Sequence, residues 1–95
     1  MATAVERSLD AMRVLDVYSR PGCHLCELLI EELMPLLRAR GCVQVHDIDR
    51  DPELEKKYGQ RIPVVEHRGR LLCEFKLDPA AIERALREAE PSAPD

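Results

Sequence analysis

The chain has 95 residues, of which 45% are hydrophobic and 34% are charged, and its formal net charge at pH 7 is −4. This length accommodates one hydrophobic core, and the composition is typical of an ordinary globular protein. Because the basic residues are scattered and only 3% of the residues are aromatic, no nucleic-acid partner is expected. No apolar run approaches the length of a membrane span, so no membrane association is expected.

The first twelve residues lack the basic start and apolar middle of a secretory signal peptide, so we expect a cytoplasmic protein. We expect flexible segments over residues 1–12 and 91–95, on either side of a single domain at residues 13–90. In a reducing compartment, cysteines seldom form structural disulfides, and a close pair favours catalysis or metal binding. The four cysteines are Cys23, Cys26, Cys42 and Cys73.

In chain order, residues 13–18 (RVLDVY) form a β-branched and aromatic run that predicts a strand, and Pro21-Gly22 then predicts a turn. Leucines and one isoleucine recur at helical spacing over residues 23–40, where Pro35 should bend the helix and Gly41 should end it. Residues 42–48 (CVQVHDI) alternate as in a second strand.

Aspartate followed by proline occurs twice in the second half of the chain, and each pair predicts the start of a helix. Asp51-Pro52 opens a short helix over residues 51–58, and Asp78-Pro79 opens a longer one. Between them, residues 62–66 and 70–75 predict two strands, joined by a two-residue hairpin loop at Arg68-Gly69. The predicted order is β-α-β-α-β-β-α, an α/β fold in which strands joined through helices run parallel with right-handed crossovers and the closing hairpin is antiparallel.

The Cys23–Cys26 segment (CHLC) lies where the first turn meets the first helix. Free backbone N–H groups and the helix dipole favour an anion there, so Cys23 should be the more reactive thiolate. Cys26 lies one helical turn later, where its sulfur can reach that of Cys23 and resolve a mixed disulfide.

The alternative to a redox pair is half of a zinc site. Structural zinc needs four ligands, usually as two closely spaced pairs. The remaining candidate ligands form no second pair in the sequence; they are His24, Cys42, His46, His67 and Cys73. We therefore predict a redox centre without a metal.

The segments RPGCHLC (residues 20–26) and RIPVV (residues 61–65), with the hairpin that follows, resemble glutaredoxins, and in particular the small bacterial glutaredoxin-like proteins. The resemblance implies a thioredoxin-type fold, with a four-stranded mixed sheet flanked by three helices. It also implies a cis peptide at Ile62-Pro63, in a loop against the active cysteines where the backbone of Ile62 pairs with substrate. Arg20 matches a basic residue that holds the thiolate or a substrate carboxylate.

The chain departs from glutaredoxins after the last strand. Glutaredoxins have a Gly-Gly pair there, before a helix start that holds the γ-glutamyl end of glutathione, whereas this chain reads FKLDP (residues 75–79). Asp78 is the residue placed to contact that end, but it is also the predicted helix cap. We therefore expect weak glutathione binding.

The sequence also suggests roles for four further residues. His24, as a cation, would favour the thiolate of Cys23. Asp16, in an otherwise apolar strand, is a candidate proton acceptor for Cys26, as an aspartate is in thioredoxins. Cys42 and Cys73 should behave as small apolar residues of strands.

The sequence thus predicts a monomeric dithiol–disulfide oxidoreductase with no bound cofactor. Its expected partners are protein disulfides and a thiol reductant, either a reductase of the thioredoxin reductase type or glutathione. The alternative is a thioredoxin-fold adaptor whose cysteine pair is non-catalytic or holds a metal.

Overall fold

The computed structural model describes residues 13–38 and 40–88. The elements follow the predicted order: β1 (Arg13–Ser19), α1 (His24–Leu37), β2 (Gly41–Asp47), α2 (Pro52–Tyr58), β3 (Val64–His67), β4 (Arg70–Glu74) and α3 (Pro79–Glu88). A 3-10 turn, Ile48–Arg50, connects β2 to α2. The predicted flexible segments, and positions 89 and 90 of the predicted domain, lie outside the described residues.

The four strands form one mixed sheet in the order β2-β1-β3-β4. Strand β1 pairs in parallel with β2 and antiparallel with β3, and β3 pairs antiparallel with β4. A parallel pair needs a long crossover, which α1 provides, whereas the antiparallel hairpin needs only a short turn. The predicted α/β class and four-stranded mixed sheet are confirmed. The prediction that strands joined through helices run parallel holds for β1 and β2 but is wrong for β3, which follows α2 and runs antiparallel to β1.

Helices cover both faces of the sheet, because alternate residues of each strand point to opposite sides. Leu15 and Val17 of β1 are fully buried in the main core, on the face that carries α1 and α3. Tyr18 points to the opposite face, where it packs against a smaller cluster around Tyr58 of α2. The main core consists of Leu15, Val17, Leu29, Leu33, Leu37, Val65, Cys73, Ile82 and Leu86.

Both aspartate caps are present, as predicted. The side chain of Asp51 accepts a hydrogen bond from the N–H of Glu53 at 2.9 Å, and that of Asp78 accepts from the N–H of Ala81 at 3.3 Å. Each bond satisfies a backbone donor that the first helical turn leaves unpaired.

Helix α1 ends earlier than predicted, at Leu37 instead of position 40. Arg38 adopts a positive φ of 48°, and its N–H still bonds to the carbonyl of Met34 at 3.4 Å. Gly41 does not end this helix; it is the first residue of β2. A Cβ at Gly41 would lie 2.8 Å from the carbonyl oxygen of Arg13, so this glycine permits the close approach of two strands.

The closing hairpin turns at the predicted residues. Arg68 and Gly69 both have positive φ, 53° and 80°, as the two central residues of a type I′ turn require. The strands are shorter than predicted, so Pro63 and Phe75 lie just outside β3 and β4. In the described part of the chain, no helix is both long and apolar enough to cross a membrane.

Candidate redox site

A tight turn brings the chain from β1 into α1. The N–H of Cys23 bonds to the carbonyl of Arg20 at 3.2 Å, and Gly22 has a φ of +80°. Pro21 and Gly22 occupy the two central positions of this turn, where proline and then a residue with positive φ are favoured. The turn delivers Cys23 to the N-cap position of α1, with extended φ and ψ of −85° and 109°.

The two sulfurs of the motif form a disulfide, with 5.2 Å between the Cα atoms of Cys23 and Cys26. The N–H of Cys26 donates to the Sγ of Cys23 at 3.2 Å. Cys23 is partly exposed, whereas Cys26 is only 2% exposed. Of the two cysteines, Cys23 is therefore the one that an incoming molecule can approach more easily.

After reduction, this arrangement favours a negative charge on Cys23. The helix N-terminus carries a partial positive charge, and an N–H that already points at the sulfur would stabilise a thiolate by a charge-assisted hydrogen bond. His24 is the first residue of α1 and is exposed, so its side chain lies at the same end of the helix.

Arg20 is engaged with carboxylates of the protein itself. Its guanidinium forms an ion pair with Asp49 at 3.0 Å and a second one with Glu55. These hydrogen bonds, to Asp49 first and then to Glu55, raise the pKa of Arg20. These ion pairs connect the loop before Cys23 to the 3-10 turn and to α2. A contact between Arg20 and a substrate stays a prediction.

The hypothesis that Asp16 accepts the proton of Cys26 is not supported by its position. Asp16 lies on the face of the sheet opposite α1, because Leu15 and Val17 on either side of it point toward that helix. Its carboxylate instead bonds to Nε2 of His46 at 2.8 Å. The sequence alone could have shown this, because successive residues of a strand point to opposite faces of the sheet. Asp16 therefore cannot face the helix that Leu15 and Val17 face.

The Ile62-Pro63 peptide is cis, as the resemblance to glutaredoxins implies. Pro63 is fully buried, and its carbonyl accepts a hydrogen bond from the N–H of Phe75 at 2.8 Å. Ile62 is partly buried and packs against the smaller cluster of Ile48, Tyr58 and Val64. This loop is thereby joined to the segment that follows β4.

A cleft next to the cysteine motif was not predicted from the sequence. It has a volume of about 210 Å³ and is lined by Leu25, Leu28, Leu29, Glu32, Phe75, Lys76 and Leu77. Leu25 and Phe75, on its two walls, are 50 positions apart in the chain, so the meeting of the walls could not be inferred from local pattern. The available signal was Phe75, the single phenylalanine of the chain, at the end of a predicted strand. Asp78, the proposed glutathione contact, caps α3 and is not among the lining residues.

The two remaining cysteines are free thiols in different surroundings. Cys73 is 8% exposed and belongs to the main core, as predicted, and burial raises the pKa of its thiol. Cys42 is exposed on β2, so the prediction that it packs as a small apolar residue is wrong. The cause is its position on an edge strand, at a residue that points away from the main core.

Among residues 13–38 and 40–88, no three or more His, Cys, Asp or Glu side chains are grouped so that they could hold a metal ion. A metal on Cys23 and Cys26 would need further ligands from elsewhere.

Residues 14–87 match the model of the glutaredoxin-like domain family, DUF836. The match covers most of the chain, and the chain therefore belongs to this glutaredoxin-like family of the thioredoxin fold. No curated protein matches the chain at a significant level.

Solved structures agree with this assignment. The chain is similar to protein Ne2328 of Nitrosomonas europaea, with 35% identity and a TM-score of 0.69 over 78% of this chain and 91% of that one. It is also similar to the protein XcR50 of X. campestris, with 37% identity and a TM-score of 0.62 over 84% and 97% of the two chains. A mutant thioredoxin of Halobacterium salinarum, 21% identical with a TM-score of 0.55 over 97% and 88% of the chains, shares the fold.

Proposed function

We propose that this protein is a dithiol–disulfide oxidoreductase, with Cys23 as the attacking thiol and Cys26 as the resolving thiol. The observation that supports this most directly is the asymmetry of the pair. Both sulfurs lie at the start of α1 within bonding distance, but Cys23 is a partly exposed residue whereas Cys26 is buried.

The proposed reaction begins from the reduced pair. The thiolate of Cys23 attacks one sulfur of a substrate disulfide, an S–S bond forms between enzyme and substrate, and the other substrate sulfur leaves as a thiolate that takes a proton from solvent. Cys26 then loses its proton to solvent, and its thiolate attacks the Sγ of Cys23. The Cys23–Cys26 disulfide forms, the second substrate thiolate leaves and is protonated, and two electrons have passed from the protein to the substrate.

An external thiol reductant must then reduce the disulfide. We propose a reductase of the thioredoxin reductase type rather than glutathione, because the segment after β4 carries bulky residues where glutaredoxins have a Gly-Gly pair. The exposed free thiol of Cys42 agrees with a reducing compartment such as the cytoplasm. We further propose that the protein acts as a monomer, that Ile62 and Pro63 line the path of the substrate backbone, and that electron transfer serves redox homeostasis.

A trapping experiment tests the assignment of roles. In a Cys42→Ser background, the Cys26→Ser variant should accumulate a mixed disulfide with a peptide disulfide, because the resolving step is removed. Peptide mapping by mass spectrometry should locate the bond on Cys23. The matched Cys23→Ser variant should trap far less peptide. Equal trapping in the two variants would contradict the proposed roles, and no trapping in either would favour a non-catalytic adaptor.

A further inference from the structure

The cleft beside the cysteine motif has walls that are both apolar and exposed. Leu25 is 52% exposed, Leu28 is 40% exposed and Phe75 is 49% exposed, and all three line it. We call it the Leu25–Phe75 cleft, with the lining residues given above. Exposed apolar side chains that converge on a concavity are typical of a binding site.

Phe75 adopts a backbone conformation that is rare for its residue type. Its φ is +70°, in the left-handed region where a bulky side chain is disfavoured. The N–H of Phe75 is held by the carbonyl of Pro63 and that of Lys76 by the carbonyl of Glu74, both at 2.8 Å. The side chain of Phe75 is 49% exposed in this costly conformation, and residues in such conformations concentrate at functional sites.

The cleft adjoins the redox site through one shared residue. Leu25 lies between the two cysteines in the chain and is also a wall of the cleft. A polypeptide whose sulfur is bonded to Cys23 therefore has its neighbouring side chains close to Leu25. The charged residues of the lining, Glu32 and Lys76, have opposite signs, so the cleft favours an uncharged occupant.

We propose that the Leu25–Phe75 cleft binds one large apolar side chain of a disulfide-containing polypeptide, near the cysteine that reacts with Cys23. This inference rests on the redox function proposed above and adds a substrate preference to it. A volume of about 210 Å³ accommodates a single leucine-sized or phenylalanine-sized group. Glutathione has no large apolar side chain and gains nothing from this cleft.

The test uses short peptides whose single cysteine carries a small thiol as a mixed disulfide. Each test peptide carries one leucine at one of the four positions nearest to the cysteine, two on each side, and serine at the other three. The reference peptide carries serine at all four positions. The reduced wild-type protein should react faster with at least one leucine peptide than with the serine peptide. Burial of part of a leucine side chain corresponds to a rate ratio of roughly tenfold.

Two pairs of variants locate the preference. Leu28→Gln and Phe75→Asn remove apolar walls of the cleft, and asparagine tolerates the positive φ at position 75. The controls are Met34→Gln on the same helix and Leu71→Asn on β4, at residues that are 50% and 45% exposed and do not line the cleft. The leucine-to-serine rate ratio should fall toward one in the first two variants and stay at the wild-type value in the controls.

The outcomes separate the cleft from the redox chemistry. If wild type reacts with all peptides at one rate, or if the ratio survives both Leu28→Gln and Phe75→Asn, the cleft proposal is overturned and the redox function stands. If no peptide reacts with Cys23 at all, the redox function itself fails, and the cleft proposal fails with it.

Discussion

The four cysteines of this protein differ in accessibility and in electrostatic surroundings. Cys23 combines partial exposure with an N–H donor at 3.2 Å, whereas Cys26 is buried behind it. Cys42 is exposed on an edge strand, and Cys73 is buried in the main core with a raised thiol pKa. Because the thiolate is the reactive form, these differences predict an order of reactivity.

After full reduction near neutral pH, we expect iodoacetamide to label Cys23 first, then Cys42, and Cys73 last. The helix N-terminus increases the thiolate fraction of Cys23, while Cys42 is accessible without that stabilisation. Timed quenching followed by peptide mapping measures the four rates. Labelling of Cys26 ahead of Cys23 would reverse the assigned roles.

Single residues also show where sequence reasoning reached its limit. The redox pair and the caps at Asp51 and Asp78 follow from local spacing, and the structure contains them. The partners of Arg20 do not follow from local spacing. Asp49 and Glu55 lie 29 and 35 residues after it, and only the tertiary structure brings them together. Asp16 could have been placed on the correct face by the alternation of β1 alone.

At the scale of the elements, α1 is held to the sheet by one stripe of leucines. Leu29, Leu33 and Leu37 lie at successive turns of the helix and are at most 2% exposed. The next residue after Leu33, Met34, faces solvent with 50% exposure. The helix that carries both cysteines therefore depends on the buried stripe for its position.

Replacement of Leu33 by alanine should lower the free energy of unfolding by about 2–5 kcal/mol, because it removes buried methyl groups and leaves a cavity. Met34→Ala is the matched control on the same helix and should change it by less than about 0.5 kcal/mol. Urea denaturation of the oxidised proteins measures both values. Equal losses in the two variants would contradict the orientation of α1.

The opposite face of the sheet carries a stack of rings. The ring of Tyr18 lies between those of Tyr58 and His46, with centroid separations of 4.1 Å and 4.7 Å. The hydroxyl of Tyr58 donates to the buried carboxylate of Glu66 at 2.8 Å. Burial, and next the neighbouring Tyr58, raise the pKa of Tyr18 from 10.0 to about 12.

This shift predicts a loss of stability in alkali. The folded protein keeps the Tyr18 proton that the unfolded chain releases near pH 10, so the contribution is complete below pH 10 and is lost as the pH rises toward about 12. In Tyr18→Phe, the urea midpoint should fall less steeply over this range than in wild type. Parallel slopes for the two proteins would contradict a protected phenol at position 18.

The ends of elements were predicted less well than their order. Helix α1 ends at Leu37 because the next residue, Arg38, has a positive φ. Arginine rarely adopts this conformation, so the sequence gives no signal for the end of the helix. The hairpin turn was located correctly because Gly69 supplies one of the two positive φ values that such a turn requires. Glycine marks a conformation in the sequence; an arginine in the same conformation does not.

At the scale of the whole molecule, alternation of strand and helix patterns predicted the class and the order of the elements, since a short α/β chain has few ways to bury both faces of a sheet. It did not predict the direction of β3, which follows a helix but runs antiparallel to β1. The Leu25–Phe75 cleft was not predicted, because the start of α1 and the segment after β4 meet only in the folded structure. Membership of the glutaredoxin-like family agrees with the fold and with the position of the cysteine pair. The redox reaction itself is the claim that needs a direct measurement.

A redox titration of the Cys42→Ser protein provides that measurement. The protein is equilibrated in thiol–disulfide buffers of defined potential, quenched with acid and alkylated, and the free thiols at each position are counted by mass spectrometry. We expect a single two-electron transition confined to Cys23 and Cys26, with a midpoint between about −270 and −180 mV. A pair that stays entirely reduced or entirely oxidised across this range would contradict the proposal that it exchanges electrons with cellular disulfides.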